Sequence, residues 1–304
     1  MINVYKKTLK SPQIREVKET EQGTWIRVID PSEEELKLLS ENMKLDLSII
    51  EDGLDENEIS RLEKEDGALY MIIRFPTKKS FIMTVPILIV ITDENIVTIC
   101  KEKEQLTKYF IEDEDFLTTK KTYFVLKIIS EIFKSYDTYL NRMLKDIKLK
   151  KIQIDNLKNK DILFLVQEEE TLNDFISSLV PAINITEKIL RGKYINIYDR
   201  DEDIIEDLVL DSKQTLELSR NGLKSIKNIR EAYSTILTND LNRVMKILTI
   251  TTIILTVPTI ISSIFGMNIT LPLADNPMAF FYIMSLTIVL SIILLVIIIK
   301  RRWI

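Results

Sequence analysis

Five hydroxyl side chains, Thr249, Thr252, Thr256, Thr259 and Ser263, recur at steps of three, four, three and four within the uncharged run "ILTITTIILTVPTIISSIF" from Ile247. On a helix that spacing lines them along one face. Two kinds of chemistry suit such a face. Hydroxyls in an apolar helix can bond to carbonyls of their own backbone or to a neighbouring helix. The same groups turned towards water can carry a polar path through hydrocarbon. Thr251 and Ser262 lie off the stripe, so the spacing leaves both readings open. Asn242, one heptad below Thr249, extends the line beyond the apolar run. One helix cannot enclose a path, so the second reading requires a ring of several copies.

The elements that must position this face are membrane-length. The run from Ile247 has about 19 residues and "AFFYIMSLTIVLSIILLVIII" from Ala279 about 21, each enough for a hydrocarbon core of about 30 Å. Pro258 does not veto the first, because packed membrane helices tolerate proline. Arg243 and Lys246 precede the first run, and Lys300, Arg301 and Arg302 follow the second. The connecting "FGMNITLPLADNPMAF" holds no Lys or Arg and a single acid, Asp275. Basic residues stay on the cytoplasmic side, so both termini are expected inside and the loop outside. There, a short polar loop free of positive charge is expected to form the outer mouth of a cation pore.

Charge elsewhere excludes several functions. The 304 residues carry a net charge of -5, which disfavours nucleic acid. There is no His and one Cys, Cys100, so histidine triads, thiolate metal cages and intrachain disulfides are out of reach. Cys100 follows "IVTI" and reads as a buried strand residue. No glycine-rich nucleotide loop occurs, and "RGKY" at Arg191 lacks both the first Gly and the hydroxyl of a phosphate loop. No enzyme, nucleotide or nucleic-acid partner is expected. The opening "MINVYKKTLK" has no apolar core of signal-peptide length, so the soluble part is expected in the cytoplasm of a plasma-membrane protein.

The soluble part reads as an α/β domain over 1–115. "TWIRVID" from Thr24 and "ALYMIIRFP" from Ala68 have strand composition, and "PILIVITDENIVTIC" from Pro86 reads as two strands about a turn at Asp93 to Asn95. Ser32 and Glu35 have capping-box spacing at the start of a helix. Over 116–200, Ile128, Ile132, Tyr136, Tyr139 and Met143 recur at helical spacing, and two antiparallel helices are the simplest reading. From Asp201 to Phe265 a single stalk helix is expected, of roughly 65 residues and about 97 Å, running into the first span over 247–265. Gly222 costs about 1 kcal/mol, too little to end it. Leu223, Ile226, Ile229, Tyr233 and Ile236 form a stripe that demands partner helices. An external loop over 266–278, a second span over 279–299 and a basic tail over 300–304 complete the division.

With these residues in view, a resemblance emerges. Two spans at the C-terminal end, the first closed by Gly266, Met267 and Asn268, resemble the CorA family of magnesium transporters; so do "NDLNRVMKILTI" ahead of the first span and "LDLSIIEDGLD" at Leu45. The resemblance covers nearly the whole chain. It implies a funnel-shaped homopentamer in a lipid bilayer, with the first span lining the pore and the second surrounding it. Carried over residue by residue, the pore line is Asn242, Met245, Leu248, Thr252, Thr256, Thr259, Ser263 and Asn268, with Leu248 and Met245 as a hydrophobic constriction. The family pattern takes Leu248 where the hydroxyl stripe takes Thr249.

The resemblance also implies a mechanism. Mg2+ gives up its waters reluctantly. A ring of Asn268 amides is expected to accept hydrogen bonds from those waters, with Gly266 letting the backbone come close; Asn268 can equally cap the helix end. Mg2+ is expected in a second role, held by a carboxylate at Asp207 and an acid of a neighbouring subunit, for which Asp93 is a candidate, so that cytosolic Mg2+ shuts the gate. The loop departs from the acidic "FEYMPE" of many members and keeps only Asp275, and Phe265 replaces the commoner Tyr before the motif. Met267, where zinc-associated relatives carry Ile, favours magnesium. A Co2+, Ni2+ or Zn2+ carrier on the same scaffold and a two-span membrane-anchored sensor remain as alternatives.

Overall fold

The computed structural model describes residues 1–102, 110, 116–192, 194–195, 197–267 and 276–300. The chain divides into two compact units, Met1–Ile229 and Arg230–Ile304.

Unit 1 opens with a seven-stranded sheet built from β1 (Ile2–Thr8), β2 (Ser11–Glu16), β3 (Trp25–Ile29), β4 (Arg61–Glu65), β5 (Ala68–Lys78), β6 (Ile82–Ile91) and β7 (Ile96–Cys100), ordered β2-β1-β3-β7-β6-β5-β4. The pairing of β3 with β7 is parallel and the rest antiparallel. The strands expected at Thr24, Ala68 and Pro86 are present, and Cys100 is buried at the end of β7. Two prolines lie inside the long strands β5 and β6, where a missing N–H should break the ladder. Each is tolerated for a legible reason. The Thr84 N–H turns away from β5 and donates to Asp174 Oδ2 at 2.7 Å. Pro86, two residues on, has its nitrogen on that same side, and the β7 pairing begins only at Leu88. Pro76 stands in the same relation to Arg74, whose N–H meets the Ser60 hydroxyl at 3.3 Å beyond the end of β4.

Helices α1 (Glu33–Met43) and α2 (Leu47–Asp52) cover one face of the sheet. The expected capping box closes α1: Glu35 N–H donates to Ser32 Oγ at 3.2 Å and Ser32 N–H to Glu35 Oε2 at 3.0 Å. Asp46 caps α2 by accepting from Ser48 and Ile49 N–H. The "LDLSIIEDGLD" segment thus buries Ile49 and Ile50 against Leu88 and its neighbours. Gly53 is needed there, since a Cβ would lie 2.7 Å from that of Leu88.

Two long helices follow, α3 (Lys121–Ile152) and α4 (Asn159–Leu190). Tyr136 on α3 meets Phe175 on α4 edge-on at 4.9 Å, and Lys150 Nζ reaches Asp161 Oδ1 at 2.6 Å. These contacts make the pair antiparallel, the simplest reading of the sequence. Leu140 rather than Tyr139 completes the buried stripe of α3.

The next helix, α5, runs unbroken from Asp199 to Phe265. Within unit 1 its buried face steps through Asp201, Ile205, Leu208, Ser212, Thr215, Ser219, Gly222, Ile226 and Ile229 at alternating fours and threes. The small residues in the middle let it approach closely. A Cβ at Gly222 would lie 3.0 Å from both Leu144 of α3 and Leu172 of α4. Ser212 and Ser219 donate back to their own helix, and Thr215 to both its helix and Asp137.

Unit 2 comprises α5 from Arg230 and the last helix, α6 (Ala279–Lys300). Both helices are long and apolar enough to cross a membrane.

Candidate ion path

The first span is exposed over most of its surface but not evenly. Ile250 is buried, and Ile254, Val257, Pro258 and Ile261 are half-buried. They form one helical face. On α6 the shielded residues are Ala279, Ile283, Thr287, Ser291, Leu294 and Ile298, again one face. Each span thus has one shielded face and one open face. Thr249, Thr252, Thr256, Thr259 and Ser263 are all exposed. At about 100° per residue, they centre on the side of the helix opposite the covered face.

Thr249, Thr252, Thr256 and Thr259 donate their hydroxyl protons to the carbonyls four residues earlier, at 2.8, 2.9, 2.7 and 2.8 Å. The two chemistries open to the stripe are therefore compatible. The proton is used by the backbone, and what each hydroxyl presents outward is an acceptor. An acceptor is the right partner for the hydration shell of a cation, whose waters point their protons outward. Thr251 and Thr287 make the same backbone bond, at 2.9 and 2.8 Å, so the bond is not distinctive; the facing is.

Below the stripe, Asn242, Met245 and Leu248 are exposed on the same broad side, Met245 at 53% and Leu248 at 60%. Apolar side chains so open call for a covering surface. The helix ends at Phe265; Gly266 N–H bonds to the Ser262 carbonyl at 2.9 Å and Met267 N–H to that of Ile264 at 3.3 Å. A Cβ at Gly266 would sit 3.2 Å from the Ser262 carbonyl oxygen, so glycine permits this close finish. Asn268 and Asp275 lie outside the described residues.

The acids form a separate feature in unit 1. Asp93 is exposed on the turn between β6 and β7, where Lys121 Nζ holds the carbonyls of Thr92 and Asp93 at 2.9 and 2.5 Å. The turn borders a cleft of about 910 Å³ whose lining also includes Lys64, Tyr123, Tyr198 and Asp201. Asp207 lies on the exposed side of α5 and is not part of that lining. Asp201, which sequence reasoning passed over, is 6% exposed. The signal for it was available: it heads the four-three stripe of α5, concealed because after Ile205 and Leu208 that stripe passes through Ser, Thr and Gly. Among the described residues no three acidic or Cys side chains converge as a metal cage.

The family model for CorA-like Mg2+ transporter proteins matches residues 20–301, nearly the whole chain. The chain belongs to the CorA family. The cobalt/magnesium transport protein CorA of Methanocaldococcus jannaschii is 28% identical over 292 residues, covering 92% of this chain and 91% of that one. The complete structure of the CorA magnesium transporter from the same organism superposes with a TM-score of 0.89 at 24% identity, covering 100% of this chain and 99% of the other. The soluble domain of that protein superposes with a TM-score of 0.68 at 20% identity over 76% of this chain and 95% of its own. The soluble α/β part, the long helix and the two apolar C-terminal helices are thus the CorA architecture, and the protein is a divalent cation transporter of that family.

Proposed function

We propose that this CorA-family member conducts Mg2+ into the cell across the plasma membrane, as a homopentamer whose first-span helices surround the path. The observation that carries the reading is the exposure of the hydroxyl stripe on the side of α5 opposite its shielded face. A helix already shielded on one side and lined with outward acceptors on the other suits a ring with water at its axis. With both termini in the cytoplasm, Asn268 amides at the outer end grip the ion through its waters, and Gly266 and Met267 set the turn that presents them. Asp275 alone supplies fixed negative charge at the mouth.

Nothing in the sequence couples the path to chemical energy, so the ion follows its electrochemical gradient. Each charge gains about 2.3 kcal/mol per 100 mV, so a divalent cation gains about 4.6 in an inside-negative cell. Leu248 and Met245, converging from several copies, close the inner end by dewetting. Cytosolic Mg2+ shared between Asp207 of one copy and an acid of the next, with Asp93 as candidate, holds the closed arrangement; Mg2+ depletion releases it.

Co2+ is a second cargo to weigh, because the 28% identical relative is named for both ions. Flux into liposomes loaded with a divalent-ion indicator tests the proposal. Mg2+ should enter, faster with an inside-negative potential, and Co2+, Ni2+ and Zn2+ run alongside rank the alternatives. Flux of Zn2+ without Mg2+, or no flux of any divalent ion, rejects it.

A further inference from the structure

Several half-buried acids of unit 1 have clear partners. Asp174 accepts from the N–H and hydroxyl of Thr84, both at 2.7 Å. Asp161 accepts from Lys150 Nζ at 2.6 Å and Lys158 N–H at 2.9 Å, and the lysine holds its carboxyl below the usual carboxylate range. Glu168 on α4 differs. Its Oε2 is buried and bonds to nothing. It lies one turn before Leu172, which with Leu144 of α3 closes on Gly222 of α5. Glu168 therefore shares a face of α4 with Leu172, one turn from the point where α3 and α4 both meet α5.

The groups that face it are few. From α3 come Asp146 and Arg142, one turn apart on the same face of that helix. From α5 the buried residues of that region are Thr215, Ser219, Gly222 and Ile226, none of them ionisable. Burial and then the Asp146 charge push the Glu168 carboxyl up to about 7, with Arg142 opposing them. The chain has no His, the side chain that ordinarily ionises between pH 6 and 8.

We infer that Glu168 is a proton-operated latch on the α3–α4 hairpin: its neutral carboxyl lets the hairpin close against α5, and its ionisation loosens that seam. The step is a simple ionisation in which the proton leaves to water and no other bond changes. A carboxylate with one oxygen buried and unbonded, near a second carboxylate, is the costly form, and opening the hairpin hydrates it. The sign follows from linkage. The hairpin binds the proton more tightly closed than open, with the carboxyl at about 7 closed against 4.5 unperturbed. Its contribution is complete below about pH 4.5, is lost as pH rises through 7, and is constant above that. Between pH 6 and 8 the opening equilibrium should rise by about threefold to about tenfold, the lower end allowing for solvent screening at the partly exposed carboxyl.

Amide hydrogen exchange on the full-length protein in nanodiscs at fixed Mg2+, corrected for the intrinsic pH dependence of exchange, reads this directly. Peptides over 142–152 and 159–172 should open more at pH 8 than at pH 6, and Glu168→Gln should remove the difference. Asp146→Asn should move the midpoint to lower pH and Arg142→Gln to higher pH, opposite shifts that a merely structural role for Glu168 would not produce. Wild-type opening that is equal at pH 6 and 8, a Glu168→Gln protein that keeps the wild-type dependence, or a midpoint unmoved by Asp146→Asn overturns the inference. The two neighbour variants decide it even if Glu168→Gln fails to fold.

Discussion

The two apolar spans use the same polar residue types on opposite sides. In the first, Thr249, Thr252, Thr256, Thr259 and Ser263 lie on the open face, and the covered face is aliphatic plus Pro258. In the second, Thr287 and Ser291 lie on the covered face, and Ser285 alone among its Ser and Thr residues is exposed. Hydropathy alone would treat the two as equivalent. The contrast in facing separates a helix that hides its hydroxyls inside a hairpin from one that offers them outward. That is the difference expected between a helix backed by lipid and one that borders water.

Four perturbations and one matched control break or sharpen this contrast. The largest effect is expected just past the first span, at the outer end of the open face: Asn268→Ala should abolish Mg2+ uptake in the liposome assay while the assembly still elutes as an oligomer. Uptake at the wild-type rate would remove the amide from the filter. Next, Thr252→Val combined with Thr256→Val should lower flux by at least about tenfold, since two rings of acceptors for the ion's waters are lost at about 1 kcal/mol or more each. The matched pair on the second span, Thr287→Val with Ser291→Ala, should change flux less than about twofold; equal losses would erase the contrast between the spans.

Smaller effects lie on the inner side. Leu248→Ser should raise flux at high cytosolic Mg2+ several-fold, because a polar ring wets a constriction that an apolar one keeps dry. No rise would show that the constriction is elsewhere. Smallest of the four apart from the control, Asp207→Ala should require about threefold more Mg2+ to protect the cytoplasmic part from protease, the order of a lost exposed charge interaction. An unchanged protection curve would assign the sensing to other acids.

Much of this was legible in the sequence because period and composition agreed. The hydroxyl stripe, the capping box at Ser32 and the burial of Cys100 follow from spacing or from β-branched runs. The edge strands did not show. β1, β2 and β4 are rich in Lys, Arg and Glu, such as "RLEKE", because a strand at or near the sheet edge needs little apolar surface. The strands running through Pro76 and Pro86 were cut short for the converse reason: whether a proline nitrogen faces a partner depends on where the neighbouring strand ends. The covered face of the first span was invisible too, since Ile250, Ile254, Val257 and Ile261 are surrounded by equally apolar residues and only the second helix distinguishes them. Asp201 and Glu168 show the same limit for acids. An acidic run names the candidates, and packing decides which of them is buried.

The most direct test of the central claim is a cysteine scan of the first span in the reconstituted transporter, reading Mg2+ flux before and after a water-soluble thiol reagent. Cys100 is buried in the sheet and should contribute no background. Block is expected from substitutions at Thr252, Thr256, Thr259 and Ser263, and not from those at Ile250, Ile254, Val257 and Ile261. Block that follows the second set, or that follows neither, would contradict a path lined by the hydroxyl face.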